Sequence, residues 1–410
     1  MAKNYASIYN SANDSIALEQ KFYLKAETTR GEMVFPVGTD HFLSIPGGTI
    51  TFEQAFESNM QRSGRHHTSL IKKKKTTNWS LSTYFNIDTT LGAAGAAEID
   101  PALRVLWTSL LGREQVPGGL VYDAADAPNI TFTLLEVGDK WARQSPGAFA
   151  MGGNVQLPGD GEATIEWTGN AKTAYFIGMG KTVTDNSAGN TITLEAGQGE
   201  RFQVGGAIMA IEADGVTRSA DTPDGTPRKI TGIVGDVLTV DGAPFADLDG
   251  SLADIYITYY EPENPVAIDN SVTGLIGSVS IAGLTNQCVR SFGMNIQNNH
   301  ELREDCYGSD GLAGTLFVPG DRLTVETNMT LNMNHAIAGF FNRRVAFETE
   351  NITAILGDSA GRHFKAELPK VQFNVPGFSV PDTGSIPVEF SGTAFQTALD
   401  AADEITASYL

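Results

Sequence analysis

The sequence has few cysteines, no long apolar run and a deficit of basic side chains. Its two cysteines, Cys288 and Cys306, provide neither a disulfide framework nor a four-ligand zinc site, so free thiols are expected. No apolar segment approaches membrane-spanning length, and residues 1–20 lack the apolar core of a signal peptide. We therefore expect a protein that is made in a cytoplasm and is not inserted into a membrane.

The charge balance argues against sequence-independent binding to polyanions. The chain has 28 lysine and arginine residues against 48 aspartate and glutamate residues, which gives a net charge of −20. A protein of this charge repels the phosphates of DNA and of anionic lipids. An ordinary nucleic-acid-binding or membrane-binding protein is therefore not expected.

Patterns of catalytic chemistry are also scarce. Residues 178–182, GMGKT, end like a phosphate-binding loop, but the earlier glycine that this loop requires would fall at Tyr175. Residues 247–254, DLDGSLAD, suggest a calcium loop, but its first ligand position would fall at Phe245. A glycosidase stays open, because its two carboxylates can lie far apart in a chain. We predict that the protein is not an enzyme and has no catalytic residue, cofactor or metal site.

Turn and strand residues are abundant. The 44 glycines and 17 prolines separate short runs rich in Thr, Val, Ile and Phe, which is typical of a mainly β protein. The chain has 410 residues, of which 41% are hydrophobic. Its length and composition therefore predict two or three domains with buried cores.

Two segments have helical spacing instead. Residues 98–112 have an acidic start, a proline near the first turn, apolar residues at helical spacing and a glycine stop. Residues 334–347 have a weaker pattern of the same kind. We predict that Trp107 and Phe340 or Phe341 are core residues that pack each helix on a sheet.

One twelve-residue pattern occurs twice in the chain. Residues 158–169, PGDGEATIEWTG, and residues 381–392, PDTGSIPVEFSG, are separated by an offset of 223. Each begins with a turn and continues as an alternating run. We predict that Trp167 and Phe390 lie on the buried faces of equivalent strands and that the glutamates beside them lie on the polar faces.

A second pair of strand-like segments supports a duplication. Residues 79–88, WSLSTYFNID, align with residues 323–332, LTVETNMTLN, at an offset of 244, which also aligns residues 50–52 with residues 294–296. The two offsets differ by 21, so the first copy has about that many extra residues between its second and third segments. Similar segments in the same order indicate two copies of one domain.

The duplication predicts the domain organisation. We expect residues 1–29 to form an N-terminal arm, residues 30–175 the first copy and residues 267–410 the second. Residues 176–266 interrupt the repeat, are acidic and contain a predicted hairpin at 228–240. We therefore expect a small β-barrel-like domain inserted between the two copies.

A run of four lysines, Lys72 to Lys75, is an exception to the acidic composition and lies in a predicted loop from about Glu57 to Asn78. Most such runs are simply solvated, and this one could also be a nucleic-acid patch or one side of a protein contact. The run is absent from the second copy, which instead has an acidic segment at residues 298–308. Opposite charges favour correct pairing across a subunit boundary. The candidate interface residues are His66, His67, Lys72, Lys73, Lys74, Lys75, Glu301, Glu304 and Asp305.

The order of these patterns resembles that of the tail tube proteins of tailed bacteriophages. The resemblance depends on residues 75–88, KTTNWSLSTYFNID, and most of all on the C-terminal form AELPKVQFNVPGFSV, GSIPVEFSGTAF and EITASYL. It covers both copies, which are roughly two thirds of the chain. It is closest to the subgroup in which two tube domains are fused, although the acidic unit at 176–266 departs from the simple family pattern.

The resemblance implies two antiparallel β-sandwich tube domains, each with a helix. It implies a structural virion protein that is assembled in the host cytoplasm, stacks as rings into the tail tube and conducts the genome into the host. The implied partners are further copies of the chain, other tail proteins (tip or baseplate, terminator and tape measure proteins) and double-stranded DNA in transit without specific binding. A duplicated chain would need three copies for a pseudo-hexameric ring, and an acidic lumen would repel the passing phosphates.

Two other functions stay open. A baseplate or tail-tip ring protein would have the same domain but stop at one ring. A carbohydrate-binding β-sandwich surface protein would also be acidic and rich in strands, and we would expect it to be a monomer with exposed aromatic residues.

Overall fold

The structure is a computed structural model and consists mainly of antiparallel β-strands. Every strand pairing among the described residues is antiparallel, which confirms the predicted β class. The described residues are 3–11, 13–15, 19–58, 70–88, 98–117, 119–125, 130–183, 190–218, 227–242, 245, 255–273, 277–281, 284, 288–302, 317–319, 322–345, 347–358, 362–378 and 380–410.

The N-terminal part of the chain folds into two layers of strands. Its elements are α1 Tyr5–Asn10, β1 Lys21–Ala26, β2 His41–Phe42, β3 Ile45–Ser58, β4 Leu70–Tyr84, α2 Pro101–Leu111, β5 Gly112–Glu114, β6 Val121–Ala124, β7 Phe132–Val137, β8 Ala142–Pro158, β9 Thr164–Ala171 and β10 Tyr175–Ile177. One layer has the order β3, β4, β9, β8, and the other has the order β2, β1, β7, β8, β10. Strand β8 belongs to both because it is long enough to pair with β7 in its first half and with β9 in its second.

The middle of the chain forms a separate six-stranded sheet. Its strands are β11 Met179–Lys181, β12 Thr191–Thr193, β13 Ala207–Ile211, β14 Arg228–Val234, β15 Val237–Val240 and β16 Tyr256–Tyr259. They lie in the order β11, β16, β13, β14, β15, β12. The predicted hairpin at 228–240 is confirmed by β14 and β15, and its turn contains Gly235 at a φ of 58°. The amide of Val183 also donates to the carbonyl of Thr193 at 3.2 Å, next to the two outer strands β11 and β12.

This middle sheet packs on the outer layer of the N-terminal part. Its hydrophobic core includes Tyr23 of β1 and Leu135 of β7, whereas the neighbouring Phe22 and Leu134 point into the main core. Strand β7 is therefore buried along its whole length, with one face against each core. Tyr5 of α1 also belongs to the core of the middle sheet, so the start of the chain packs on this unit.

The C-terminal part contains the remaining elements. They are β17 Ser278–Ile281, β18 Val289–Gln297, β19 His300–Leu302, β20 Phe317–Pro319, β21 Thr324–Asn332, α3 His335–Val345, β22 Thr349–Asp358, β23 Arg362–Phe373, β24 Pro387–Ala394 and β25 Thr406–Tyr409. Strands β18, β21, β24 and β23 pair side by side in that order. This is the order of β3, β4, β9 and β8 in the N-terminal part, and in both parts a helix follows the second strand.

Strand pairing in the structure aligns the segments 79–88 and 323–332 at a different offset from the sequence alignment. Trp167 lies opposite Leu81 and Phe390 lies opposite Met329, so equivalent pairing needs an offset of 248 between β4 and β21. The alignment gave 244, which is four residues less. A shift by four residues preserves the alternation of buried and exposed side chains, so hydrophobic pattern alone cannot distinguish the two registers.

The predicted helices and core residues are confirmed. Helix α2 ends at Gly112, whose φ of 113° is a left-handed cap that favours glycine. Trp107 in α2 and Phe340 in α3 are both fully buried. Trp167 and Phe390 are buried as predicted, and the glutamates beside them are exposed.

Candidate subunit interface

The two four-stranded groups are hydrogen-bonded edge to edge inside the chain. We call β3, β4, β9 and the second half of β8 the first sheet unit, and β18, β21, β24 and β23 the second sheet unit. Strand β8 pairs with β18 over seven residue pairs, from Ser291 opposite Pro158 to Gln297 opposite Gly152. The two units therefore form one continuous layer of eight strands, which we call the joined sheet.

One face of the joined sheet is polar along the whole layer. This face alternates with the buried residues of each strand and has side-chain hydroxyl, amide and carboxylate groups. Its glutamates Glu166, Glu326 and Glu389 are exposed. Neutral members of the face are Thr51, Asn78, Ser80, Asn154, Gln156, Thr168, Asn295, Asn328 and Ser391. The named side chains are polar and carry only negative charge, so they are well hydrated and repel phosphate groups.

The opposite face of the joined sheet packs on the main core, which is centred on α2. Trp107 contacts Trp167 of β9 at a ring distance of 5.1 Å and Phe364 of β23 at 5.9 Å. Its indole N–H donates to the hydroxyl of Tyr409 at 2.7 Å. Burial raises the pKa of Tyr409, so this hydroxyl stays protonated. One helix thus packs against strands of both sheet units.

The four predicted interface lysines lie in strand β4 rather than in the loop that the sequence suggested. The loop was expected to extend to Asn78, but the strand already begins at Leu70, because residues 70–78 pair with β3 and lengthen the hairpin. Lys73 forms an exposed ion pair with Glu57 at 3.0 Å. The Nζ atom of Lys75 lies 5.3 Å from the ring centre of Phe52. Lys72 and Lys74 lie in the same strand, but their side chains are outside the described part.

The other candidate interface residues are not brought into contact with these lysines by the described structure. His66, His67, Glu304 and Asp305 lie outside the described residues. Glu301 lies in β19, which pairs with β20, and its side chain is also outside the described part. The predicted contact between lysines and acids therefore stays a prediction.

The hairpin of β3 and β4 exposes large apolar side chains that the sequence analysis did not single out. They are Phe52, Phe56, Leu70 and Ile71, which are between 41% and 62% exposed. Leu70 and Ile71 directly precede the lysine run in the sequence, whereas Phe52 and Phe56 are brought beside it only by the pairing of β3 with β4. Exposed apolar residues grouped on one hairpin are typical of a surface that another protein covers.

A buried ionic cluster fixes the middle sheet to the start of the chain. Glu261, which directly follows the last strand of that sheet, accepts hydrogen bonds from Lys3 at 2.8 Å and Lys21 at 3.0 Å. The hydroxyl of Tyr5 donates to the same carboxylate at 3.0 Å. Burial acts to raise the pKa of Glu261, but the two lysines outweigh it and hold the pKa below its usual value. The cluster is therefore charged at neutral pH and was not predicted, because Glu261 lies more than two hundred residues from its partners in the sequence.

A second buried carboxylate lies at the N-terminus of α2. Asp100 is the N-cap residue of this helix, but its side chain binds the linker that follows the middle sheet. Its Oδ1 atom accepts a hydrogen bond from the amide of Ile268 at 2.9 Å. Its Oδ2 atom has no hydrogen-bond partner among the described residues. Burial raises the pKa of Asp100 to about 7.

The described residues show no arrangement that points to another kind of site. They contain no group of three or more histidine, cysteine or carboxylate side chains that could hold a metal ion. Within the same residues, no helix is long and apolar enough to cross a membrane. No protein-family profile matches the sequence, and no curated protein matches it either.

Proposed function

We propose that this chain is a structural protein of a bacteriophage tail, whose rings stack into the tube that conducts double-stranded DNA. The observation that carries the proposal is the continuous polar face of the joined sheet. A wall for DNA transit needs many hydrated side chains, few cations and no specific grip on phosphate. The hydroxyl, amide and glutamate groups of this face meet those needs, which supports a structural role rather than an enzymatic one.

The dimensions of the joined sheet suit a ring of three chains. Eight strands per chain give twenty-four strands in such a ring. At a spacing of ~4.8 Å the circumference is about 115 Å, and the diameter is nearly 40 Å before strand tilt widens it. A channel of that width admits a hydrated duplex. Closing the sheet into a ring also removes its free edges.

The repeated strand order supports a duplication of one tube domain, at residues 30–175 and 267–410. We propose that residues 176–266 are an inserted domain whose open six-stranded sheet curls toward a barrel, since backbone hydrogen bonds connect the chain at the ends of its two outer strands. This unit packs on the layer that faces away from the polar face, because its core includes Leu135 and Ala142. With the polar face in the lumen, the inserted domain lies outside the tube wall.

The hairpin of β3 and β4, which we call the lysine hairpin, is proposed as a contact between stacked rings. The exposed side chains of Phe56, Leu70, Ile71 and Lys73 lie where the β3–β4 hairpin extends beyond the pairing of β4 with β9. We propose that this hairpin meets acidic groups of the next ring, with Glu301, Glu304 and Asp305 as candidates. Partners in the assembled tail are further copies of the chain and the tip, terminator and tape measure proteins.

Negative-stain electron microscopy of the purified protein tests the proposal. We expect rings with an open centre that stack into tubes as protein concentration rises. Single rings that never stack would favour a tail-tip or baseplate protein. Monomers at every concentration would contradict both, and binding of such monomers to a carbohydrate array would favour a surface protein.

A variant without the inserted domain tests its placement. Residues 181–261 are replaced by a short Gly/Ser linker, and residues 1–11 are removed as well because α1 packs on this unit. Leu135 and Val137 are changed to Thr to remove the apolar face that would be uncovered. Ring and tube formation should persist. A folded, soluble variant that forms no tubes would show that the inserted unit belongs to the wall.

A further inference from the structure

The joint between the two sheet units begins where an outer strand ends. The first half of β8 pairs with β7 as far as Ala148, opposite Phe132. The same edge of β8 is then taken by β18, from Gly152 to Pro158. Along this joint Val155, Leu157 and the facing Met294 are buried. We call these seven residue pairs the internal joint.

The far end of the second sheet unit has the same strand arrangement without a partner. Strand β23 pairs with β22 as far as Gln372, opposite Thr349. The chain then continues beside β24, since the amide of Asn374 donates to Ser391 at 2.9 Å and Phe378 bridges to Val388. In the described structure no strand lies on its other edge. The side chains of Val375, Phe378 and Val380 are 57%, 52% and 70% exposed there.

The opposite edge of the joined sheet is formed by β3, the first strand of the first sheet unit. Strand β3 pairs with β4 on one side, and no other strand pairs with it among the described residues. Ile50 of β3 lies opposite Trp79 and Met294 of β18 lies opposite Thr327, so the pairing makes residues 49–53 equivalent to residues 293–297. Phe52 is 41% exposed, whereas the equivalent Ile296 is fully buried in the internal joint.

We propose that residues 375–378 of one chain pair antiparallel with residues 50–53 of the next chain, in the register of the internal joint. This inference rests on the proposed ring and names the strands that close it. Val388 is equivalent to Ile165, so Phe378 takes the place of Val155 and comes to lie opposite Ile50. One residue along, Gly377 comes to lie opposite Thr51. The joint covers the exposed apolar side chains of both edges.

Two local features accommodate the incoming strand. The amide of Asn374 points at β24, so by alternation the nitrogen of Pro376 points the same way and its missing N–H removes no bond to the new partner. Gly377 has open space around the position of a Cβ atom, so a strand can approach it closely.

Engineered disulfides test this register. The test variant is Thr51→Cys with Gly377→Cys in a chain that also has Cys288→Ser and Cys306→Ser. The control variant is Asn154→Cys with Asn295→Cys, which is the equivalent pair at the internal joint. Directly opposed strand residues have Cα atoms about 4.5–5.5 Å apart, within the range of a disulfide. Each variant is assembled in the presence of reductant and inspected by electron microscopy. It is then oxidised and analysed on a denaturing gel without reductant.

The proposal predicts that oxidised rings of the test variant run mainly as covalent dimers and trimers. The control pair should stay at the mobility of one chain, and each single-cysteine variant should give no covalent trimer. Rings that form normally but give no cross-link between the cysteines of the test variant, while the control pair closes, would overturn the register and leave the proposed function intact. Absence of rings in the parent chain would overturn both.

Discussion

The two sheet units have the same strand order but differ in the helix that packs against them. Helix α2 buries seven of its residues and contacts strands of both units through Trp107. In the described part of α3, Ile337 and Phe340 are buried, and the rest of its surface is intermediate or exposed. The first helix is thus a shared core element, whereas the second covers one unit.

The difference shows which features both units need and which belong to one of them. Both units contribute four strands and a polar face to the joined sheet. Each unit also adjoins an outer layer, through β7 in the first and β22 in the second, but only the layer of β1 and β7 packs on the middle sheet. In the proposed assembly the polar face and the strand edges are constrained, whereas the outer surface of each unit is free to differ.

Truncating the two equivalent helix aromatics should give the largest effect. Trp107→Ala should lower the free energy of unfolding by ~3–5 kcal/mol or more, because it leaves a large cavity and removes the hydrogen bond to Tyr409. Phe340→Ala should cost about 3 kcal/mol, because Phe340 packs on Phe373 and Phe390 of one unit. Urea unfolding measures both. Equal losses would contradict the shared role of α2.

Removing the buried carboxylate that holds the middle sheet should rank next. Glu261→Gln leaves Lys3 and Lys21 without their charge partner and should cost about 3 kcal/mol. Glu263→Gln is the matched control, because Glu263 is half-exposed in its ion pair with Arg218 and should cost below ~1 kcal/mol. Hydrogen exchange in β13 and β16 reports the loss locally. Similar exchange in both variants would show that the buried cluster does not hold the unit.

The buried Asp100 should make stability fall as pH rises. Its pKa is raised to about 7 when folded, against 3.8 as a free group, so its ionisation penalty is absent below about pH 4 and complete above about pH 7. The free energy of unfolding of Asp100→Asn minus that of the parent chain should therefore be larger at pH 8 than at pH 5, by on the order of 2–4 kcal/mol. Denaturant unfolding at both pH values measures the difference. A pH-independent difference would mean that Asp100 titrates normally.

The lysine hairpin should have the smallest effect on the isolated chain. Changing Lys72, Lys73, Lys74 and Lys75 to Ser should leave the melting transition within error, because exposed pairs such as Lys73 with Glu57 contribute ~0–1 kcal/mol. Stacking should be impaired, with short tubes or separate rings, because these contacts recur in every ring. The matching Arg variant, which keeps the charge, should stack normally. Normal tubes from the Ser variant at physiological and raised salt would identify the lysines as solvated.

Much of the local structure was predictable from the sequence, but its long-range pairing was not. Alternation identified the buried Trp167 and Phe390, and glycine with proline marked the ends of α2, because these signals act within a few residues. The internal joint connects residues more than a hundred positions apart, and nothing in a local pattern selects that pairing. The lysine run was mistaken for a loop because charged residues at the tip of a long hairpin have no buried face to create a period.

The number of chains in one ring tests the central claim most directly. Mass measurement of isolated rings, with symmetry-resolved electron microscopy of the same sample, should give three chains of 43.7 kDa and a pseudo-sixfold wall. Each chain then contributes both sheet units, and the joint between chains repeats the joint within one chain. Rings of six chains would contradict the account, because the two units of one chain could not then form equivalent sixths of the wall.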